Sequence, residues 1–239
     1  MKITVLNYPG TVGKTTIAVN MLCPRMENVD FIAVESFNES AESLGVDVTK
    51  ITGVRFREVY TRLLKTENAI VDVGASNIEG FLDGMAKFED SHLEIDYFLI
   101  PVTCGSKEQT ETLIMFQTLI NYGIDPSCIK IVFNRVQDSV IEEFDILYKY
   151  SKHNPAFPME PKAAIIENTL FNLMGQKKTS LPAVLADETD YKAQIRLLNK
   201  ETDFKLINQM VDAHTMRSLA KTVDKNLTQV YETLFGGQI

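Results

Sequence analysis

A glycine-containing segment near the start of the chain constrains the fold more than any other feature. Residues 7–16 read Asn-Tyr-Pro-Gly-Thr-Val-Gly-Lys-Thr-Thr. The segment follows a short apolar run, residues 2–6, and precedes residues 17–22, whose apolar side chains have helical spacing. A strand, a glycine-containing loop ending in Gly-Lys-Thr and a helix together predict a phosphate-binding loop.

The residue types in this loop fit phosphate chemistry. Backbone N–H groups of a tight loop and of a helix N-terminus point toward bound phosphates. Lys14 is expected to place its charge on the β- and γ-phosphates, and the Thr15 hydroxyl is the expected Mg²⁺ ligand. Gly13 allows close approach of the backbone because it has no Cβ. The loop residues predicted to bind the nucleotide are Gly10, Thr11, Val12, Gly13, Lys14, Thr15 and Thr16.

The loop departs from the full phosphate-binding motif at one position. Tyr8 stands five residues before Gly13, where the motif has its first glycine. A Gly-Lys-Thr turn that binds no ligand is the alternative interpretation. The strand before the loop and the helix after it favour the nucleotide site.

Composition restricts the class of protein. The chain has 239 residues, 45% of them hydrophobic and 23% charged, as is typical of a globular domain. Its net charge of −8 disfavours a large nonspecific DNA-binding face. Three widely spaced cysteines and three scattered histidines match neither a disulfide framework nor a zinc site, which indicates a reducing compartment. With no signal peptide and no long apolar run, we expect a cytoplasmic protein.

The order of apolar segments predicts an α/β fold. Nearly continuous apolar runs, as in buried strands, occupy residues 29–34, 68–74, 96–102, 128–133 and 163–166. Helical spacing occurs over residues 56–65, 78–88, 107–122 and 140–150, and residues 40–44 are typical of a short helix or ordered loop. This alternation predicts a mostly parallel sheet with helices on both faces. We expect one domain over residues 1–239, with 186–239 forming a mainly helical C-terminal extension.

The last helical segment carries an apolar stripe, formed by Leu219, Val223, Leu227, Val230 and Leu234. Such a stripe suits either a membrane-surface helix or a helix packed on a core or a partner. The polar face of the segment mixes acidic and basic residues, whereas a membrane anchor is usually basic. Packing on a core or a partner is therefore favoured.

Polar residues end three of the predicted strands, at the edge where parallel sheets bind ligands. Asp72 is the expected second ligand of Mg²⁺, directly or through water, and capping of the next helix is its alternative role. Glu35 is placed to activate water in catalysis, although a solvated strand end accounts for it equally well. Asn134 offers a donor and an acceptor to a purine edge, and Arg135 either stacks on the base or faces water. The predicted catalytic residues are Lys14, Glu35 and Asp72, and the predicted metal ligands are Thr15 and Asp72.

These motifs resemble those of the ParA/MinD family of deviant P-loop ATPases. Pro-Gly-Thr-Val-Gly-Lys-Thr-Thr is similar to the family's Lys-Gly-Gly-x-Gly-Lys-Thr-Thr loop. Ile-Val-Asp-Val-Gly, Leu-Ile-Pro-Val and Val-Phe-Asn-Arg follow in the family's order over roughly residues 1–185. Within the family the opening residues look most like the StbB-type plasmid-stability proteins. The resemblance implies a SIMIBI-type P-loop fold, ATP and Mg²⁺ as cofactors, a nucleotide-dependent homodimer, slow hydrolysis, and plasmid DNA or a plasmid-maintenance protein as partner.

Three positions differ from the family's pattern. Pro9 replaces the signature lysine, which in relatives reaches the partner subunit's nucleotide, and Thr11 replaces a glycine. Glu35 replaces the switch aspartate and is one methylene longer, which predicts slower hydrolysis. Two other functions stay open on the sequence: a P-loop kinase or ligase for a small molecule, and a nucleotide-binding interaction module without hydrolysis.

Overall fold

A computed structural model describes residues 1–35, 48–52, 55–177, 179–198 and 203–236. Seven strands form one parallel sheet in the order β3-β2-β4-β1-β5-β6-β7. Their bounds are β1 Lys2–Val5, β2 Asp30–Val34, β3 Thr49–Ile51, β4 Ala69–Val73, β5 Tyr97–Val102, β6 Ile129–Val136 and β7 Ala164–Ile166.

The helices alternate with these strands along the chain. Their bounds are α1 Lys14–Ile17, α2 Phe56–Leu63, α3 Ile78–Ala86, α4 Ser106–Asn121, α5 Val140–Glu143, α6 Asp145–His153, α7 Leu170–Lys177, α8 Leu181–Leu185, α9 Tyr191–Leu197 and α10 Phe204–Phe235. Helix α1 continues as a π-helical turn, Ala18–Leu22, and a 3₁₀ turn, Cys23–Arg25. The α/β class and the parallel sheet predicted from the sequence are confirmed.

The sheet is buried on both faces, which explains why its strands are apolar without alternation. Every residue of β4 and β5 is buried. Helices α2, α3, α4 and α6 contribute to the core on one face. Helices α7, α8 and α10 cover the other face together with the helical turns that follow α1. The central strand β1 therefore carries the loop at residues 7–13 into the middle of the carboxyl edge of the sheet.

The apolar stripe of α10 packs inside the protein. Val223, Leu227, Val230 and Leu234 are buried in the same core as residues of β1, and Leu219 is partly buried against it. Of the roles that the sequence left open for this stripe, core packing is the one observed. Among the described residues, no helix is long and apolar enough to cross a membrane.

Several elements differ from the sequence-based expectation. Strand β6 extends beyond Phe133, so Asn134 and Arg135 lie within it. The helix expected over residues 140–150 is divided into α5 and α6, because Phe144 leaves helical geometry (φ −114°, ψ 45°) and buries its ring against Phe133. Strand β3 and helices α7 and α8 were not anticipated, and the expected element at residues 40–44 lies outside the described residues.

Candidate functional site

The loop after β1 is attached to the neighbouring elements at its root. The buried Asn7 side chain donates hydrogen bonds of 2.8 Å to the Pro101 carbonyl and to Thr112 Oγ1, which lie at the end of β5 and in α4. Its Oδ1 accepts a hydrogen bond from the Tyr8 backbone N–H. Because the two acceptors are fixed by the sheet and by α4, the loop leaves β1 in a defined direction.

Gly13 is the one loop position where the backbone requires glycine. It has φ +89°, and a Cβ placed there would lie 2.5 Å from Asn134 Nδ2. Gly10 has no such requirement, since its φ is not positive and no atom lies within 4 Å of an added Cβ. Tyr8 also has a negative φ, and its side chain packs against the core. The missing first glycine of the motif is therefore compatible with this loop.

The Lys14 side chain folds back over the loop and contacts its backbone. Its buried Nζ donates hydrogen bonds to the carbonyl oxygens of Asn7 (2.9 Å) and Pro9 (2.7 Å). Burial lowers the pKa of this ammonium group to about 8, and the nearby Asp72 carboxylate opposes that shift. An anion in the loop would favour the charged form further, so this lysine is suited to bind phosphate.

Thr15 and Asp72 form the polar centre of the site. The Thr15 hydroxyl donates a 2.6 Å hydrogen bond to Asp72 Oδ2, while Asp72 Oδ1 is buried and has no hydrogen-bond partner among the described residues. Burial raises the pKa of Asp72 to about 6, against the effects of the Thr15 hydrogen bond and Lys14.

A hydroxyl beside a carboxylate with an unpaired buried oxygen fits Mg²⁺, which prefers hard oxygen ligands and often uses only one or two carboxylates. Thr15 and Asp72 would hold the ion, and a bound Mg²⁺ would supply charge neutralisation for phosphate oxygens. Its positive charge would also remove the cost of keeping Asp72 ionised in this buried position. No cluster of three or more histidine, cysteine or acidic side chains suited to a metal occurs in the described part of the chain.

Glu35 lies beside this centre at the end of β2. In the parallel pairing of β2 with β4, Ala33 lies opposite Asp72. The Gly74 N–H donates a 3.0 Å hydrogen bond to the carbonyl of Val34, the residue before Glu35. Glu35 Oε2 is buried without a hydrogen-bond partner among the described residues. Burial raises the pKa of Glu35, and the Asp72 carboxylate raises it further. The two carboxylates therefore lie close enough to repel each other electrostatically. Their positions at the ends of neighbouring parallel strands account for this proximity.

A cavity of about 270 Å³ opens on the other side of the loop, slightly below the usual size range of small-molecule sites. Gly13 and Thr16 form the side of the cavity next to the loop, and Asn134 and Arg135 form another. Asn134 Nδ2 donates a 2.8 Å hydrogen bond to the Val12 carbonyl, which fixes the strand against the loop. Arg135 has φ +60°, where the register of β6 and β7 shifts, and its side chain is exposed.

The rest of the cavity wall was missed by sequence reasoning. It consists of Ile17, Ile165, Ile166, Glu167, Asn168, Phe171, Asn172 and Leu227. The segment from Ile165 to Asn172 spans the end of the short strand β7 and the start of α7, and it carries no recognisable motif. The only available signal was the rule that ligands bind beyond the carboxyl ends of parallel strands.

The structure thus brings the predicted site residues to one edge of the sheet. Lys14, Thr15, Asp72 and Glu35 surround one side of the loop, and Thr16, Asn134 and Arg135 lie on the cavity side. Val12 is buried, whereas Gly10 and Thr11 are exposed at the tip of the loop. The loop therefore lies between an acidic centre on one side and a cavity on the other.

Comparison of the sequence with protein-family profiles and with curated proteins gives no match. Solved structures do match. The ATP complex of a McdA variant from Cyanothece has a TM-score of 0.54 at 14% identity, over 98% of this chain and 96% of that one. MinD from Aquifex aeolicus has a TM-score of 0.55 at 14% identity, over 99% and 98% of the two chains.

A third similar structure contains a nucleotide and a metal ion. MinD from Pyrococcus horikoshii, complexed with Mg-ADP, has a TM-score of 0.53 at 16% identity, over 93% of this chain and 95% of that one. These likenesses span nearly the whole chain. The fold is therefore that of the MinD-type P-loop NTPases, as the sequence predicted, and the C-terminal helical region is part of it.

Proposed function

We propose that this protein binds ATP and Mg²⁺ at the loop of residues 10–16. The observation that carries the proposal is the Thr15–Asp72 pair, in which a hydroxyl and a buried carboxylate with one unpaired oxygen meet at the start of α1. Lys14, the first residue of α1, holds its ammonium group over the loop, and the cavity bounded by Asn134 and Arg135 is placed for the base. The ATP complex of McdA and the Mg-ADP complex of MinD support the choice of ligand.

The broader role that we propose is that of a nucleotide-dependent switch of the ParA/MinD type. Its partners would be a second copy of the chain and a plasmid-maintenance protein or DNA complex, in plasmid stability, partition or conjugation. The StbB-like opening residues support this role, as does the fold shared with MinD. We place the protein in the cytoplasm. We also treat residues 1–239 as one domain, because α10 shares a hydrophobic core with β1.

Hydrolysis would be slow. Glu35 is the residue placed to orient or deprotonate water, and burial, reinforced by the Asp72 carboxylate, raises its pKa. Its extra methylene relative to aspartate moves the carboxylate away from the position used in the ParA/MinD family. We therefore expect ATP to stay bound for many seconds before it is hydrolysed.

A second candidate function is a nucleotide-binding interaction module that does not hydrolyse ATP. Pro9 favours it, because this residue stands in place of the signature lysine, is buried, and has neither a charge nor an N–H to donate. Release of phosphate separates the two candidates. The switch releases phosphate from ATP, at least with partner protein or DNA present, whereas the module releases none.

Light scattering tests the switch directly. We expect the mass of the protein with ATP and Mg²⁺ to differ from its mass with ADP or without nucleotide, and the difference to disappear in Lys14→Ala. Lys221→Ala is the matched control, because Lys221 is exposed on α10 and does not line the cavity. Identical masses for a protein that demonstrably binds ATP would contradict the switch and leave the module.

A further inference from the structure

The first half of α10 has no buried side chain. All buried residues of this 32-residue helix lie at Ala220 or beyond it. We call residues 204–217 the α10 arm. Its contacts in the chain include α9, where Arg217 stacks on the Tyr191 ring, and the segment before α9, where Arg217 donates hydrogen bonds to the carbonyls of Asp187 and Thr189. The arm therefore presents a side with no packing partner among the described residues.

Two large apolar side chains are exposed on that side of the arm. Phe204 is 65% exposed and Val211 is 45% exposed. The two are seven residues apart, about two helical turns, so they lie on one face of the helix. Leu197, at the end of α9, is 86% exposed. Phe204 and Val211 therefore form a short exposed apolar strip on the arm, which another molecule could cover.

The arm carries two charged residues of opposite sign that have the same spacing as Phe204 and Val211. Lys205 and Asp212 are also seven residues apart, each follows one of the two apolar residues, and they have opposite signs. Neither has a hydrogen bond or ion pair within the described part of the chain. Within the arm, residues 204–217, one acidic residue, Asp212, stands against two basic ones, Lys205 and Arg217, so the net charge is +1. A net charge of +1 is small for a surface that binds anionic lipid or nucleic acid, so these are disfavoured as the occupant.

We propose that the occupant is the arm of a second copy of this chain, packed antiparallel about a two-fold axis at Asn208. In this arrangement Phe204 lies within about 1.5 Å, one helical rise, of the level of Val211 in the other copy. Lys205 lies equally close to the level of the other copy's Asp212. Because a two-fold axis repeats each contact, two apolar pairs and two ion pairs form from one patch.

This self-association does not need nucleotide. None of the arm residues lines the cavity, and Leu227, the part of α10 that does, lies ten residues beyond Arg217, or about 15 Å along the helix. The arm dimer therefore forms through a surface separate from the loop. Formation of this dimer does not depend on ATP binding, so the two proposals can be tested separately.

Charge exchange gives the sharpest test. Sedimentation velocity on nucleotide-free protein in EDTA is expected to show a dimer that Lys205→Glu or Asp212→Lys weakens about fivefold each. The double exchange Lys205→Glu with Asp212→Lys is expected to restore the dimer to within about twofold. Within one helix the two residues are about 10 Å apart, so rescue requires contact between copies. A monomeric wild type, or a double variant no better than the single ones, overturns the proposal.

Cross-linking tests the register. Asn208→Cys places a thiol near the axis, where two Cα atoms can come within the range of a disulfide. Lys221→Cys is the control, since two-fold symmetry would place its copies about 39 Å apart along the helices. Both carry Cys104→Ser, because Cys104 is exposed. Selective oxidation of Asn208→Cys supports the antiparallel pair, and equal cross-linking of both variants overturns it.

Discussion

A β-carbon on Gly13 would lie 2.5 Å from the side-chain nitrogen of Asn134. The same nitrogen donates a hydrogen bond to the Val12 carbonyl, so strand β6 holds the loop at its closest approach. The contact between Asn134 and the loop therefore fixes the loop against the wall of the cavity. A change at this contact is expected to alter both the fold and the binding of ligand.

Gly13→Ala is accordingly expected to lower the free energy of unfolding by about 2 kcal/mol, because alanine is strained at positive φ and its methyl displaces Asn134. Urea denaturation measures this change. Gly10→Ala is the matched control and should stay within about 0.5 kcal/mol of the wild type, since its Cβ would meet open space. Equal effects of the two substitutions would contradict the described loop geometry.

Asp72 predicts a pH-dependent stability. Its pKa is raised from 3.8 to about 6 in the folded protein, so the folded state favours the protonated form. The stabilising contribution of that proton is complete below about pH 4 and is lost as the pH rises to about 6. Asp72→Asn should therefore be more stable than the wild type at about pH 7, by on the order of 3 kcal/mol, and the advantage should shrink toward about pH 4.

Denaturation of both proteins across this pH range is the measurement. Asp138→Asn, which changes an exposed aspartate just before α5, is the control and should stay close to the wild type in stability at each pH. A constant difference between Asp72→Asn and the wild type across the range would show that Asp72 does not carry a raised pKa. Mg²⁺-dependent binding of ATP is expected to be weakened in Asp72→Asn at every pH.

Glu35 is expected to affect turnover more than binding. Glu35→Gln removes the base while keeping the size of the side chain, so phosphate release should fall to background with the Kd for ATP changed by no more than about threefold. Glu35→Asp shortens the side chain to the length found in the ParA/MinD family and should raise turnover. Malachite green assays under single-turnover conditions measure the release of phosphate by both variants, and calorimetric titration measures their Kd for ATP. Loss of ATP binding in Glu35→Gln would instead assign Glu35 to the binding site.

Arg25 should be important for stability although it lies outside the nucleotide site. Its guanidinium group donates to the Asn20 and Met21 carbonyls and, on α10, to Asp224 Oδ1 at 2.7 Å and Thr228 Oγ1 at 2.7 Å. Arg25→Ala leaves these acceptors without their donor, so we expect a loss of about 3 kcal/mol in urea denaturation.

Lys149→Ala, which breaks the exposed Lys149–Asp145 pair, is the control for Arg25→Ala and should have no measurable effect. Comparable losses in both variants would contradict the role given to Arg25.

The sequence was informative wherever a local pattern decides the structure. Continuous apolar runs located β2, β4 and β5 to within about a residue or two, because strands buried on both faces need apolar side chains at every position. The Gly-Lys-Thr segment located the loop. Asp72 and Glu35 could be placed together, because parallel strands end at the same edge of the sheet.

The remaining features depend on tertiary packing. The break at Phe144 follows from burial of its ring against Phe133, which no local pattern reveals. Strand β3 has only three residues, too few for periodicity to identify. The cavity wall around Asn168 and Phe171 is formed by side chains that are ordinary in sequence and become part of a site only through the position of β7. For α10, helical spacing alone does not show which half of the helix is covered.

Calorimetric titration with ATP in the presence of Mg²⁺ tests the central claim most directly. The wild type is expected to bind one nucleotide per chain, and Lys14→Ala is expected to bind at least about tenfold more weakly, with Lys221→Ala unchanged. Circular dichroism establishes that each variant is folded. Absence of any heat of binding with purine triphosphates and Mg²⁺, or equal affinity of the wild type and a folded Lys14→Ala, would contradict the account.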